Sequence, residues 1–304
     1  MTDKLIFCII VVDQCFLLYS GNKPELIRII KQKDKAFLMK FLREISPMQQ
    51  FLVKSKMDRS ILVAVDDAES VVCTINTDFE VTKGTYRQLS LNISFGKSVM
   101  DTVSRLFQLR DDRIHTSYES VNSNRHGYQP WKRSKFLPIS FWDHIIAGSD
   151  ANDLIARYFS EPEWKTTDYR FVYFHVYSYN PAAVDRWAMA RMDLDIRTIE
   201  YFDGRVDGRP DFKPQGLTNF LDALKIVLRP ILISLCPEYV EEWACAAYTE
   251  TYFELLDNDY DSGVYTTAMT YFLCQSTPLY FDRNSIQRLR MSLAYWILVG
   301  ELPI

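Results

Sequence analysis

Near the C-terminus, Tyr260-Asp261-Ser262-Gly263 opens a helical run, TTAMTYFL. A nucleophile sits well just before such a helix, because the unpaired amides and the positive helix end stabilise an anion there. Asp261 and Ser262 equally suit capping of the same helix, and capping is what the local sequence favours. Upstream, Arg186-Trp187 begins a strand pattern that runs to Leu194, and Thr198 to Phe202 forms a third run that ends at Asp203-Gly204.

Other groups with acid, base or ligand chemistry are scattered. His175 lies inside the strand FVYFHVYSY and reads as a packed or edge-strand histidine rather than a base. His144 follows Trp142 and Asp143 with no motif behind it. His115 and His126 fall in a polar stretch and read as solvated loop residues. The six cysteines (Cys8, Cys15, Cys73, Cys236, Cys245 and Cys274) show no CxxC or Cys/His knot, so they indicate neither a zinc site nor a disulfide framework. Cys245 and Cys274 lie in apolar helical text and are expected to pack. The acidic stretch from Glu254 to Asp261 lacks the spacing of a calcium loop. No metal and no cofactor are expected.

The ordered text Arg186-Trp187…Asp193, then Thr198-Ile199-Glu200-Tyr201-Phe202-Asp203-Gly204, then Tyr260-Asp261-Ser262-Gly263-Val264-Tyr265 resembles the ubiquitin-like-protein-specific (SUMO) cysteine proteases of the adenain-like fold. That family shows a His-Trp pair opening a strand, an aspartate ending the next strand and a Tyr-Asp-Cys-Gly turn leading into a helix. The resemblance continues in Asn152-Asp153-Leu154-Ile155, with Asp150 where the family has a tryptophan. It continues again in the closing segment from Arg290 to Ile297-Leu298-Val299-Gly300-Glu301-Leu302. It spans about residues 140–304.

The resemblance also implies lost chemistry. The general-base histidine falls on Arg186, whose guanidinium has no lone pair to accept a proton. The nucleophilic cysteine falls on Ser262, and the oxyanion-hole glutamine on Leu256, which donates no hydrogen bond from its side chain. Asp203 is kept, and beside Arg186 it would form an ion pair where a triad once stood. The expectation is a catalytically inactive protein, a pseudoprotease acting as an interaction or scaffold subunit of a complex, with Trp187, Asp203 and Asp261 as candidate partner-binding residues. The alternative is an active deSUMOylating or deubiquitinating-type cysteine protease carrying an engineered Cys-to-Ser change at Ser262. SUMO or another ubiquitin-like modifier is the partner class the resemblance implies.

The elements that must position these residues are legible in outline. Leu5–Val12 and Cys15–Tyr19 form a hairpin candidate about Asp13-Gln14, followed by helical spacing from Leu26 to Ile45. Strand-like runs follow at Ser60–Val65, Ser70–Ile75 and Gln88–Ile93, with Lys83-Gly84 as a breaker, and helical spacing returns from Ser98 to Leu109. This order resembles longin-like trafficking modules, which would make the first half a partner-binding platform in its own right. Residues 111–135 are polar and read as a linker. The resulting expectation is an α+β protein with a smaller N-terminal α/β domain at 1–127 and a SUMO-protease-like domain at 128–304. Residues 217–234 read as one core helix broken at Pro230.

Composition excludes several classes. With 304 residues, 48% hydrophobic and 24% charged, the chain carries enough apolar material for a large core and is not disordered. The net charge of −4 divides into +3 over residues 1–127 and −7 over 128–304. An acidic second half argues against direct nucleic-acid binding, which rests on clustered cations. The apolar run LIFCIIVV is short, follows Asp3 and Lys4 and stops at Asp13 without a cleavage pattern, so it reads as a buried strand. No stretch approaches a membrane span. Reduced thiols suit an intracellular protein, nuclear or cytoplasmic.

Overall fold

The computed structural model describes residues 6–12, 15–21, 69–75, 79–89, 93–122, 132–160, 168–178, 186–203, 219–220, 222–235, 244–248, 259–274 and 286–302. The expected helix at 26–45 and the strand at Ser60–Val65 lie outside them, as do His126, Cys236 and Leu256.

A five-stranded mixed sheet positions the site. Its spatial order follows the chain: β5 (Arg133–Phe136), β6 (Tyr169–Ser178), β7 (Arg186–Asp193), β8 (Thr198–Phe202) and β9 (Ala244–Tyr248). The central pairs β6/β7 and β7/β8 are antiparallel, and the two outer pairs are parallel. Both faces of β7 are buried, which explains its near-continuous apolar text where a half-exposed strand would alternate. Cys245 lies in β9, not in the helix its surrounding apolar sequence suggests.

Helices cover both faces. On one, α2 (Lys97–Asn122), α6 (Ser262–Cys274) and α7 (Ile286–Val299) meet through aromatic contacts: Phe107 stacks on Phe136, Phe136 on Tyr173, and Tyr271 on Trp296. On the other, α3 (Ile139–Ile146) sets Phe141 and Trp142 against Phe174, and Phe220 packs against Phe174 and Tyr201. The short α4 (Ala151–Tyr158) begins at Asp150, whose carboxylate accepts the Asp153 N–H at 2.9 Å. Asp150 therefore caps a helix where the resemblance has a tryptophan. Helix α5 (Arg229–Leu235) continues a π-helical turn at Leu224–Leu228. Pro230 is its second residue, so the break expected there appears as the change from π-helical to α-helical turns just ahead of it. Helix α7 closes at Gly300, whose φ of +75° and the bond from Glu301 N–H to the Trp296 carbonyl form a left-handed cap.

Three expectations fail. The 111–135 linker is helical through Asn122: α2 buries Val103, Leu106, Phe107, Arg110 and Asp111 on one side. Its polar end is held by local contacts such as Thr116 to the Asp112 carbonyl and His115 to Glu119. His115 is thus a helix residue. Gln88 and Leu89, at the start of the strand expected over Gln88–Ile93, form a turn, residues 90–92 lie outside those described, and the strand that pairs with β3 (Val71–Ile75) is β4 (Phe79–Thr82). Lys83-Gly84 then begins the short helix α1 (Lys83–Arg87), capped by Thr82.

The boundary at 127/128 also does not divide the core. One hydrophobic cluster runs from Ile75 through Phe95 and Phe107 to Leu302. Tyr86 donates to the Ala294 carbonyl at 3.2 Å, and Trp187 Nε1–H donates to the Phe95 carbonyl at 2.6 Å. Residues 71–122 therefore complete the second half. The expected hairpin is present as β1 (Ile6–Val12) and β2 (Cys15–Gly21), a separate two-stranded sheet with Val12 opposite Cys15.

A β-carbon at Gly263 would meet the Phe95 side chain at 2.8 Å. Gly263→Ala should therefore cost about 1–3 kcal/mol in urea unfolding, and most of that cost should vanish in a Phe95→Gly background, which removes the β-carbon as well as the ring. Equal costs in the two backgrounds would mean that residue 95 and α6 do not pack together.

Candidate functional site

The ladder pairs Met189 with Phe202, so extending it by one step puts Asp203 opposite Ala188, on the face shared by Arg186. Arg186 Nη2 donates to Asp203 Oδ1 at 2.5 Å, and Tyr201 Oη–H donates to Oδ2 at 3.3 Å. The Asp203 side chain is 2% exposed and that of Arg186 13%. The carboxylate is therefore desolvated and satisfied from both oxygens by groups on its own sheet.

Ser262 arrives from α6. A 3-10 turn at Asp259–Asp261 feeds the helix, and Ser262 is its first residue, 1% exposed, with Oγ accepting the Trp187 backbone N–H at 3.1 Å. Trp187 is buried, with its ring against Tyr177 and its indole N–H on the Phe95 carbonyl. Asp261 is engaged by Arg290, whose Nη2 lies 2.8 Å from Oδ1 and also donates to the Tyr260 carbonyl at 3.0 Å. Arg290 is 1% exposed, sits over the Phe95 ring at 4.9 Å and reaches the Gln88 carbonyl. It locks the turn before Ser262 to both halves of the chain.

The fold thus brings Arg186, Asp203, Trp187, Asp261 and Ser262 to one corner. Of the residues expected to bind a partner, Trp187 and Asp203 are buried, with their side chains engaged inside the protein. Asp261 is partly exposed but paired, while Tyr260 beside it is exposed. The sequence reading overlooked Arg290. A signal was present, since an arginine on the stripe of Leu289, Leu293 and Ile297 in a buried helix demands a partner.

The remaining histidines lie elsewhere. His144 Nδ1 is 2.8 Å from Tyr158 Oη, joining α3 to α4. His175 is buried in β6 with Nδ1 3.1 Å from Ser104 Oγ, and burial drives its pKa down to about 3. It is a packed, neutral histidine that takes no proton near neutrality. Burial pushes the Cys274 thiol up to about 12, so it is no thiolate. Among the described residues no three His, Cys, Asp or Glu side chains gather as a metal site, and no helix is long and apolar enough to cross a membrane.

Comparison with solved structures places this architecture. The SUMO protease Ulp1 with its catalytic cysteine oxidised to a sulfenic acid superimposes with a TM-score of 0.60 at 15% identity, over 84% of this chain and 96% of that one. The C-terminal Ulp1 protease domain in complex with Smt3, the yeast ortholog of SUMO, matches with a TM-score of 0.60 at 14% identity and the same coverage. The Chaetomium thermophilum Ulp1-like SUMO protease catalytic domain matches with a TM-score of 0.58 at 14% identity, over 85% of this chain and 91% of that one. The chain has the Ulp1-like SUMO protease fold. No family model and no curated protein matches it. Coverage of 84% exceeds what residues 128–304 can supply, in keeping with the single core.

Two buried groups give stability opposite pH dependences. An unfolded histidine takes a proton below its ordinary pKa of 6.5, whereas native His175 does not until about 3. Its contribution is therefore complete above 6.5 and is lost as pH falls, by up to about 1.4 kcal/mol per unit. Asp111, which accepts the Ser134 N–H, is raised by desolvation from 3.8 to about 6, so its contribution is present below 3.8 and lost as pH rises through 6. His175→Gln should flatten the decline in unfolding free energy between pH 6.5 and 5. Parallel profiles for wild type and variant would contradict the buried neutral histidine.

Proposed function

We propose that this chain is a catalytically inactive relative of the SUMO proteases that works by binding other proteins, as an interaction or scaffold subunit of a complex in the nucleus or cytoplasm. The observation that carries this reading is the Arg186–Asp203 pair. The position that the family resemblance gives to the general base holds a permanently protonated guanidinium, bonded to the carboxylate that would orient a histidine. Ser262 Oγ accepts the Trp187 backbone N–H, and the position the resemblance gives to its activating base holds Arg186, which cannot take the hydroxyl proton. The Ulp1 domain bound to Smt3 makes a ubiquitin-like modifier one candidate partner, alongside other subunits.

The test is affinity purification of the tagged full-length protein beside Ser262→Ala and Ser262→Cys, with each protein also assayed on a SUMO C-terminal Gly-Gly reporter. A stoichiometric partner set shared by all three, with no turnover by any, is expected. Turnover that depends on residue 262, whether lost in Ser262→Ala or gained in Ser262→Cys, overturns the inactive reading in favour of a cysteine-protease lineage that still holds its machinery.

A further inference from the structure

Away from the Arg186–Ser262 corner, a cavity of about 500 Å³ opens between α2, the end of β5 and α4. Its volume lies within the range of small-molecule sites. Three cations from three different elements line it: Arg105 of α2, Lys135 of β5 and Arg157 of α4. Asp101 is the one carboxylate in the lining among the described residues, and its Oδ1 accepts the Ile139 N–H at 2.6 Å, at the start of α3. Arg105 has no ion-pair partner among the described residues. Arg157 lies 3.3 Å from His144 Nε2 and has no ion-pair partner among the described residues. Convergence of like charges on a concave, partly apolar surface produces a positive field that an anion relieves.

Part of the lining is apolar. Phe79 and Phe136 line the cavity, and Phe136 is held rigid by its stacking on Phe107 and Tyr173. With Phe136 already stacked on two rings, its edge and the Phe79 side chain supply the apolar lining, and guanidinium forks beside apolar side chains in one cavity suit an oxyanion attached to a planar apolar body. Ser104 also lines the cavity with His175 behind it, an arrangement that superficially suggests a nucleophile and its base. The fully buried imidazole does not accept a proton near neutrality, so the pair serves as wall and the cavity holds its ligand unchanged.

We propose that the cavity lined by Arg105, Lys135, Arg157, Phe79 and Phe136 is a binding site for a small organic phosphate with a planar apolar body. This inference is independent of the inactive-protease reading and stands or falls separately from it.

Calorimetric titration of the full-length protein with phenyl phosphate, benzoate and inorganic phosphate tests it. Phenyl phosphate should bind saturably and at least about tenfold more tightly than either of the others. Arg105→Gln combined with Arg157→Gln should weaken it by about tenfold or more with the melting temperature unchanged, because both side chains reach solvent. Phe79→Ala should remove the advantage over inorganic phosphate. Absence of saturable phenyl phosphate binding up to about 10 mM, or binding indifferent to the double arginine variant, overturns the proposal. Preference for benzoate overturns the phosphate assignment, and capture of a Glu-rich peptide at these residues without phenyl phosphate binding overturns the small-molecule one.

Discussion

A carboxylate that the fold buries must find a cation or hydrogen-bond donors, and at Asp203 this constraint organises the corner of the molecule. The antiparallel ladder of β7 and β8 brings Arg186 alongside it, and the Tyr201 hydroxyl takes its second oxygen. With Arg186 anchored, strand alternation turns the Trp187 side chain to the other face, where its indole N–H meets the Phe95 carbonyl, while its backbone N–H donates to Ser262 Oγ. The corner is thus held by an ion pair and by hydrogen bonds from Tyr201 and Trp187. What a histidine would supply, a lone pair that can accept and return a proton, is absent from a guanidinium at any accessible pH.

The same corner explains why the chain does not separate into halves. Phe95 and Gln88 belong to the connection ahead of α2, yet they touch Trp187, Gly263 and Arg290. Arg290 is a buried cation whose partners come from the turn at Tyr260–Asp261 and from Gln88, so it ties α7 and α6 to the first half. Removing residues 71–122 would expose Phe136, Tyr173 and Tyr271 on the α2 side of the sheet. That explains why the structural match to the Ulp1 domains extends well beyond residues 128–304.

Much of this was legible in the sequence, and the failures have physical causes. Strands β6, β7 and β8 fall within a residue or two of their expected limits, because aromatic and β-branched runs stop at turn residues on either side. The ordered motif text located Arg186, Asp203 and Ser262 at one site. The second half of α2 was missed because its exposed end is polar and held by i,i+4 contacts, which leave no apolar period to read. The single core was missed because its decisive contacts, such as Arg290 to Gln88, join residues 202 apart and leave no local trace. Trp187 was legible as a landmark but not as a buried one, since its two donors are satisfied by backbone and side-chain groups remote in sequence.

The most direct measurement is a double-mutant cycle on Arg186 and Asp203, read by urea unfolding of the full chain. If the pair is structural, Arg186→Leu alone leaves a desolvated carboxylate and costs about 3–5 kcal/mol, whereas Arg186→Leu with Asp203→Leu recovers much of the loss. Additive single costs, or an Arg186→Leu cost below about 1 kcal/mol, would contradict it, because Asp203 would then not depend on that guanidinium.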